Sequence, residues 1–98
     1  MEFIKPSKTG FTVYSKSGCP YCVTVKKIIK ENFFLINEIN CDKYILENKE
    51  EFLKFIESIS GINHKTFPIV FYEDKFIGGS SETIHFIKKI LLSFEDIF

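Results

Sequence analysis

The chain of 98 residues has the length of one domain, and hydrophobic residues, twelve Phe among them, make up 45% of it, enough for a core without disulfide bonds. Thirteen basic and thirteen acidic side chains cancel, which argues against a global field that would attract nucleic acid or an anionic membrane. No apolar run approaches the roughly 18 residues of a membrane span, and the N-terminus lacks the basic start and apolar stretch of a signal peptide.

The first part of the chain predicts a strand, a helix and a second strand. Residues 1–10 form a lead-in broken by proline and glycine, and the apolar run Phe11–Ser15 is the first strand. Apolar residues at helical spacing predict a helix from Pro20 to about Glu31. We assign Phe33–Asn40 to the second strand. A strand, a helix and a strand within about thirty residues predict parallel pairing with a right-handed crossover.

The middle of the chain predicts one further helix. Asp42–Asn48 reads as a polar connection, and a one-sided apolar stripe at i, i+3, i+4 and i+7 then predicts a helix over Lys49–Ser60. Gly61 directly follows this stretch, at the position where a glycine commonly ends a helix. We expect the aromatic residues of the stripe to belong to the core.

The last third of the chain predicts two antiparallel strands and a final helix. Ile69–Tyr72 is an apolar strand, three polar residues follow as a hairpin turn, and Phe76–Ile77 returns as a short fourth strand. Ser80 or Ser81 is the expected N-cap of the last helix, and 93–98 is either an extra helical turn or a frayed tail. The predicted fold is α/β, a single domain with a four-stranded mixed sheet flanked by helices.

Two cysteines lie where the first strand meets the first helix. Pro20 suits the first helical position, which puts Cys19 at the N-cap and Cys22 one turn into the helix. Unpaired N–H groups and the macrodipole make that helix end positive, so a thiolate is favoured at Cys19, and Lys16 adds positive charge nearby. Cys22 is further from the helix end and is expected to keep a more ordinary pKa. The pattern predicts an attacking thiolate and a resolving thiol.

The stretch from Lys16 to Cys22 reads Lys-Ser-Gly-Cys-Pro-Tyr-Cys and resembles the dithiol signature of the glutaredoxin family. Thioredoxins differ by a Trp before the first cysteine, and this chain has no Trp. The resemblance covers roughly residues 11 to 92 and implies a thioredoxin fold, one glutaredoxin domain over 1–98, and catalysis by Cys19 and Cys22. The implied function is glutathione-dependent reduction of glutathione–protein mixed disulfides and of protein disulfides.

A second motif, Thr66-Phe67-Pro68, is similar to the family's Thr-Val-Pro. The resemblance implies that the peptide bond before Pro68 is cis and that the motif lies beside the dithiol. The main-chain N–H and C=O of Phe67 would then pair with an extended peptide, which in the family is glutathione. Phe67 replaces the usual Val, so we expect a bulkier pocket wall here.

A third motif, Gly78-Gly79-Ser80-Ser81, resembles the family's site for the γ-glutamyl carboxylate of glutathione. Glycines permit close approach of the backbone, and a helix N-terminus presents free N–H groups to an anion. The family often has Asp directly after the glycines, where this chain has Ser80, Ser81 and Glu82. Ser81 and Glu82 are the candidates to meet the γ-glutamyl ammonium group.

Single residues around these motifs complete the expected pocket. By resemblance, Lys16 pairs with the glycyl carboxylate, Lys65 or His64 assists it, and Tyr21 forms an aromatic wall. His64 otherwise reads as an exposed loop side chain. Cys41, at the end of the second strand, reads as a small buried thiol, with a regulatory or glutathionylated cysteine as the other interpretation.

The resemblance implies glutathione and disulfide-bonded or glutathionylated proteins as partners. We expect a monomer that needs no metal, nucleic acid or membrane. Three cysteines, an odd number, argue against a secreted disulfide framework and favour a reducing compartment, most simply the cytosol. Three other functions stay open: a [2Fe–2S] cluster carrier, a zinc-binding module using Cys19, Cys22, Cys41 and His64, and a thioredoxin-like enzyme reduced by a flavoprotein.

Overall fold

The computed structural model describes residues 2 to 97. Strands and helices follow one another along this part of the chain in the order β1 Phe11–Ser15, α1 Pro20–Glu31, β2 Ile36–Asn40, α2 Asp42–Ser60, β3 Ile69–Tyr72, β4 Lys75–Gly78 and α3 Ser80–Ile97. No helix among these described residues combines the length and the apolar character needed to cross a membrane.

The strands form one mixed sheet in the order β2-β1-β3-β4. β1 and β2 are parallel, with Phe11 opposite Ile36, while β3 runs antiparallel to both of its neighbours, β1 and β4. Because parallel strands end at the same edge of a sheet, the turn after β1 lies next to the start of α2. The predicted α/β fold with a four-stranded mixed sheet flanked by helices is confirmed.

The sheet carries a hydrophobic core on each face, because successive side chains of a strand point to opposite sides. On one face, α1 and α3 pack over Phe11 and Val13 of β1, and on the other face α2 packs over Tyr14. All residues of β1 are buried, as expected for a strand with a neighbour on each side. The turn that follows β1 is therefore attached to a strand whose side chains are all buried.

The second strand is shorter than predicted, because α1 ends in a turn that the sequence does not signal. Phe33 has φ 61°, its N–H donates to the Lys30 carbonyl at 3.1 Å, and the Phe34 N–H donates to the Ile29 carbonyl at 3.2 Å. This is the Schellman pattern, which usually places glycine at the left-handed position. The prediction of a strand from Phe33 is therefore wrong, and β2 begins at Ile36.

The helix α2 begins at Asp42, so the predicted polar connection over 42–48 is wrong. Its first turns are held by Tyr44 and Ile45, which pack against the buried cluster beneath the helix. Asn48 has φ −147° and ψ 50°, which interrupts the helix between its two parts. Because this interruption changes the apolar spacing, one uniform helical period is visible only in the second part.

Turn residues with positive φ set the boundaries on either side of β3. Gly61 ends α2 in the left-handed region with φ 76°, as predicted. The hairpin turn consists of Glu73 and Asp74, whose φ values are 49° and 62°. This two-residue turn is shorter than the predicted three, because both of its residues adopt the conformation that tight hairpins require. The fourth strand accordingly begins one residue earlier than predicted, at Lys75.

Both ends of the described chain take a larger part in the fold than the sequence pattern predicts. Residues 2–10 contain no helix or strand, but the Phe3 ring packs on α2, with its centroid 4.9 Å from that of Tyr44 and 5.5 Å from that of Phe52. At the other end, α3 continues to Ile97, so the described part of the tail is helical. Phe98 lies outside the described residues.

Candidate active site

The turn between β1 and α1 carries the two cysteines. Cys19 has an extended backbone at the N-cap of α1, Pro20 is the first helical residue, and the Cys22 N–H donates to the Cys19 sulfur at 3.3 Å. This is the placement that the spacing predicts. A negative charge on the Cys19 sulfur is stabilised there by a backbone donor and by the positive end of the helix.

Cys22 lies beneath Cys19 and is the more enclosed of the two, with exposed fractions of 1% and 8%. Burial raises the pKa of Cys22 to about 11, and the hydrogen bond with Cys19 adds to the rise. The expectation of an ordinary pKa for Cys22 is therefore wrong, because burial raises that pKa even though the residue is further from the helix end. Cys19 is the sulfur that a substrate meets first, and Cys22 is held as a thiol behind it.

Asp42 ties the active-site turn to the start of α2. The Ser17 N–H donates to Asp42 Oδ1 at 2.8 Å, and the Ser17 hydroxyl donates to the other carboxylate oxygen. These two bonds, the hydroxyl's first, hold the pKa of Asp42 below its usual value. The sequence analysis missed this residue. Its signal was available, because Asp42 directly follows a strand parallel to β1 and so must lie beside the turn after β1.

A cleft of about 450 Å³ opens beside Cys19 toward α2. We call it the α2-side cleft, and it is lined by Lys16, Gly18, Cys19, Pro20, Tyr21, Ile45, Lys49, Phe52, Leu53, Lys65, Thr66 and Phe67. The Lys16 ammonium lies 5.8 Å from the centroid of the Phe67 ring. The structure thus gathers Lys16, Tyr21, Thr66 and Phe67 around the cysteine, as the resemblance implies.

A second cleft, of about 420 Å³, opens toward α3. This α3-side cleft is lined by Tyr21, His64, Thr66, Phe67, Gly79, Ser80, Ser81 and Glu82. Three residues border both clefts, namely Tyr21, Thr66 and Phe67, so the two adjoin as one groove, which Cys19 lines on its α2 side. The Phe67–Pro68 peptide bond is cis, as the resemblance implies. Pro68 itself is buried and lines neither cleft, unlike the other predicted pocket residues.

The start of α3 supplies main-chain donors to the α3-side cleft. Ser80 is the first helical residue, and the Gly79 carbonyl accepts from the Thr83 N–H at 3.1 Å, so Gly79 is the N-cap and the predicted Ser80 or Ser81 is wrong. The Gly79 N–H is taken by a carboxylate oxygen of Glu82 at 2.8 Å. The N–H groups of Ser80 and Ser81 make no hydrogen bond to other described residues.

Glu82 provides the negative charge of the α3-side cleft. Its second carboxylate oxygen accepts from the Ser81 hydroxyl at 2.6 Å. The Ser81 hydroxyl and then the Gly79 N–H hold the pKa of Glu82 below its usual value, so the carboxylate stays charged into acid. Ser81 therefore acts on this cleft through Glu82, whose carboxylate supplies the negative charge.

Comparison with known proteins assigns the family. The sequence model of the glutaredoxin family matches residues 11–77. The chain belongs to the glutaredoxin family. Glutaredoxin 1 of Rickettsia conorii is 34% identical over 67 residues, which are 68% of this chain and 61% of that relative. The chain thus spans about three fifths of that relative's length.

Two solved glutaredoxin structures share the fold. Glutaredoxin 1 from Francisella tularensis, complexed with cacodylate, superposes with a TM-score of 0.71 and 31% identity over 83% of this chain and 94% of that one. The buckwheat glutaredoxin–glutathione complex superposes with a TM-score of 0.63 and 25% identity over 81% of this chain and 68% of that one. The thioredoxin fold that the resemblance implies is thereby confirmed.

His64 occupies an unexpected place in this glutaredoxin domain. Its ring packs edge-on against Phe76, with centroids 5.4 Å apart, and its Nε2 is buried without a hydrogen-bond partner among the described residues. The expectation of an exposed loop side chain is wrong, because the ring is half-buried beside Phe76 of β4 and Gly79 before α3. His64 also borders the α3-side cleft rather than the one that contains Lys16, whereas Lys65 lines the same cleft as Lys16.

Cys41 is fully buried at the end of β2, as the first interpretation predicts. Its thiol donates to the Ile39 carbonyl at 3.6 Å, and burial raises the pKa of Cys41 to about 12. Such a thiol is a poor nucleophile, since the thiolate is the reactive form. Within residues 2–97, no three His, Cys, Asp or Glu side chains gather in a way that could hold a metal ion.

Proposed function

We propose that this protein is a glutathione-dependent thiol–disulfide oxidoreductase that reduces glutathione–protein mixed disulfides and protein disulfides through Cys19 and Cys22. The observation that carries the proposal is the Cys19 sulfur at the N-cap of α1, accepting the Cys22 N–H at 3.3 Å in the floor of a groove. Family membership supports the reaction class, because glutaredoxins are thiol–disulfide oxidoreductases that use glutathione as reductant.

The first half-reaction needs only Cys19. Its thiolate attacks the glutathionyl sulfur of a mixed disulfide, a Cys19–glutathione disulfide forms, and the protein sulfur leaves as a thiolate that takes up a proton. A second glutathione thiolate then attacks the glutathionyl sulfur, which frees Cys19 and releases glutathione disulfide. One free glutathione is thus consumed for each mixed disulfide, and the glutathionyl group of the substrate leaves with it as glutathione disulfide.

Cys22 supplies the second route, in which a protein disulfide is reduced directly. Its thiolate attacks the Cys19 sulfur of a mixed disulfide, displaces the bound thiolate and closes the Cys19–Cys22 disulfide. With its pKa raised to about 11, Cys22 is almost entirely a neutral thiol at pH 7. Cys19 itself adds to that raised pKa through its hydrogen bond and its charge, and both effects end once its sulfur is in a disulfide. Cys22 is therefore a poor nucleophile while Cys19 is free and a better one once Cys19 is in a mixed disulfide.

The groove accommodates glutathione as an extended peptide across the dithiol. Lys16 and Lys65 at the α2 side meet the glycyl carboxylate, and the cysteinyl main chain pairs with Phe67, whose N–H makes no hydrogen bond to other described residues. At the other end, the N–H groups of Ser80 and Ser81 receive the γ-glutamyl carboxylate at the positive start of α3. The glutathione complex of the buckwheat relative supports this ligand.

The Glu82 carboxylate faces the same cleft and meets the γ-glutamyl ammonium in this proposal. We further propose that the protein acts as a monomer in the cytosol. The odd number of cysteines, three, argues against a secreted disulfide framework and supports a reducing compartment.

A mixed-disulfide reduction assay coupled to glutathione and glutathione reductase tests the proposal. We expect Cys19→Ser to be inactive and Cys22→Ser to keep part of the activity, because only Cys19 is required for the mixed-disulfide route. Equal loss in both variants, or activity in Cys19→Ser, would contradict the assigned roles.

Three measurements separate the alternatives, namely the choice of reductant, the visible absorbance and the zinc content. If a flavoprotein reductase supports turnover and glutathione does not, the protein is a thioredoxin-like enzyme and the glutathione proposal fails. Visible absorbance after anaerobic purification would instead favour a [2Fe–2S] carrier, and one tightly bound zinc per chain would favour a zinc module.

A further inference from the structure

The α2-side cleft is lined by more residues than the glutathione proposal uses. Besides Lys16 and Lys65, residues of α2 border this cleft of about 450 Å³. Its far wall is formed by Ile45 and Leu53, which are partly buried, and by Lys49, which is exposed. Lys49 and Leu53 lie four residues apart in the second part of α2 and share one of its faces, while Ile45 reaches the same cleft from the part before the interruption at Asn48. The glutathione proposal makes no use of these three residues.

The rim of this cleft is positively charged. Lys16, Lys49 and Lys65 are exposed there, and none of them forms an ion pair with another described residue. The Asp42 carboxylate interacts electrostatically with Lys16, but it is already hydrogen-bonded to Ser17. The cleft thus combines three ammonium groups that form no salt bridge among the described residues with an apolar wall, and its charge complement is a carboxylate beside a large apolar side chain.

We propose that the α2-side cleft binds the segment of a disulfide-bonded protein substrate that flanks its reactive cysteine, and that it selects segments carrying a carboxylate and a bulky apolar side chain. The segment lies extended beside Phe67, its carboxylate reaches Lys49, and its apolar side chain packs on Ile45 and Leu53. This inference rests on the proposed thiol–disulfide activity. It leaves Lys16 and Lys65 to the glycyl carboxylate of glutathione and assigns Ile45, Lys49 and Leu53 to the choice of protein substrate.

Short peptides closed by a disulfide test this selection. The peptides differ only in two positions beside one cysteine, which hold Glu and Leu, Lys and Leu, or Glu and Ser. The enzyme is reduced beforehand with dithiothreitol and desalted, so that a single turnover does not require glutathione. At low salt we expect the Glu–Leu peptide to be reduced about tenfold faster than the Lys–Leu peptide, with the preference shrinking at about 0.5 M NaCl. Equal rates for these peptides would overturn the inference.

Two charge-reversal variants locate the effect. Lys49→Glu is expected to lower the rate on the Glu–Leu peptide by about tenfold relative to its own rate on the small mixed disulfide of glutathione and 2-mercaptoethanol. Lys88→Glu makes the same change in net charge on α3, where Lys88 is exposed and lines neither cleft. If Lys88→Glu lowers that ratio equally, or Lys49→Glu leaves it unchanged, the cleft does not choose the peptide.

A third variant tests the apolar half of the proposal. Leu53→Ser is expected to abolish the preference for the Glu–Leu peptide over the Glu–Ser peptide, and a preserved preference would overturn that assignment. The peptide rates test this inference, and the rate with glutathione on the small mixed disulfide tests the proposed function separately. A wild-type enzyme that discriminates among peptides but cannot use glutathione on the small mixed disulfide refutes glutathione dependence alone. One that uses glutathione but ignores the flanking residues refutes only this inference.

Discussion

The two clefts beside Cys19 are built from different parts of the chain. The α3-side cleft presents main-chain groups, since its donors are the N–H groups of Ser80 and Ser81 beside a buried glycine pair. The α2-side cleft presents side chains, namely lysines over an apolar wall. Main-chain donors stay in place when exposed side chains change, whereas a side-chain surface changes with every substitution. The first arrangement suits a constant co-substrate, and the α2 residues of the second that glutathione does not use suit selection among protein substrates.

The largest expected effect comes from disturbing the backbone of the α3-side cleft. An added Cβ at Gly78, where φ is 137°, would lie 2.8 Å from Cβ, Cγ and Oε1 of Glu82. We expect Gly78→Ala to raise the KM for glutathione about tenfold and to lower the free energy of unfolding by about 1–3 kcal/mol. The coupled assay and urea unfolding measure the two effects.

Gly79→Ala is the matched control. A Cβ there would meet its nearest neighbours at 3.5 Å or more, which is ordinary contact, and would leave the main-chain N–H groups in place. We expect a change of less than about twofold in the KM for glutathione. If both alanine variants behave alike, the α3-side cleft does not depend on backbone conformation in the way described.

The second effect concerns the support of the α2-side cleft. Asp42→Ala removes the acceptor of both Ser17 hydrogen bonds, so the turn that bears Lys16 and Cys19 loses its tie to α2. We expect kcat/KM to fall about fivefold on small and peptide disulfides alike. The rate of Cys19 alkylation by iodoacetamide should fall with it, which a simple loss of stability would not produce. Asp42→Asn, which keeps one acceptor, should be intermediate, and an unaltered alkylation rate in Asp42→Ala would refute the positioning role.

A smaller effect is expected from a side chain of the α3-side cleft, the hydroxyl of Ser81. The Ser81 hydroxyl is the leading cause of the lowered pKa of Glu82. Because that pKa is lowered, the carboxylate's contribution is present above its ordinary value and is lost only as pH falls through the lower folded value. Ser81→Ala should therefore move the acid loss of glutathione binding to higher pH, with less than about a twofold change at pH 7.

Glutathione titrations between about pH 5 and pH 3 measure this shift. They use a Cys19→Ser background so that the nucleophile does not contribute. Ser80→Ala is the control, because the Ser80 hydroxyl makes no hydrogen bond to other described residues. An acid limb that is the same in both variants would show that Glu82 takes no part in binding.

The smallest effect on activity is expected from a region that lines neither cleft. Phe33 adopts φ 61° and is 95% exposed, so it bears backbone strain without packing in return. We expect Phe33→Gly to raise the free energy of unfolding by about 0.5–1 kcal/mol and to leave kinetics on every disulfide unchanged. Phe33→Ala keeps the Cβ and should not stabilise. Equal stabilisation by both would point to the exposed ring rather than to the backbone.

Local patterns in the sequence predicted the site better than they predicted the element boundaries. The strand-to-helix turn placed Cys19 at an N-cap, and the motifs around Phe67 and Gly79 were assigned to one groove by resemblance to a family. The misplaced boundaries lie where long-range packing or unusual φ values decide. Phe33 takes a left-handed position that glycine usually occupies, and Asn48 interrupts the apolar period of α2.

The residues that the sequence analysis missed act through tertiary neighbours. Asp42 matters because a parallel strand brings it beside Ser17, and His64 is enclosed because β4 returns next to it. The raised pKa of Cys22 likewise comes first from burial, which depends on everything packed around the turn.

The sequence by itself determined the nucleophile and the helix start that holds it, because both depend on contacts within a few residues. Only the tertiary structure decided how reactive the second sulfur is, which carboxylate braces the turn, and how far the groove extends along α2. Burial and the contacts between distant segments set those properties, and neither can be read from local spacing.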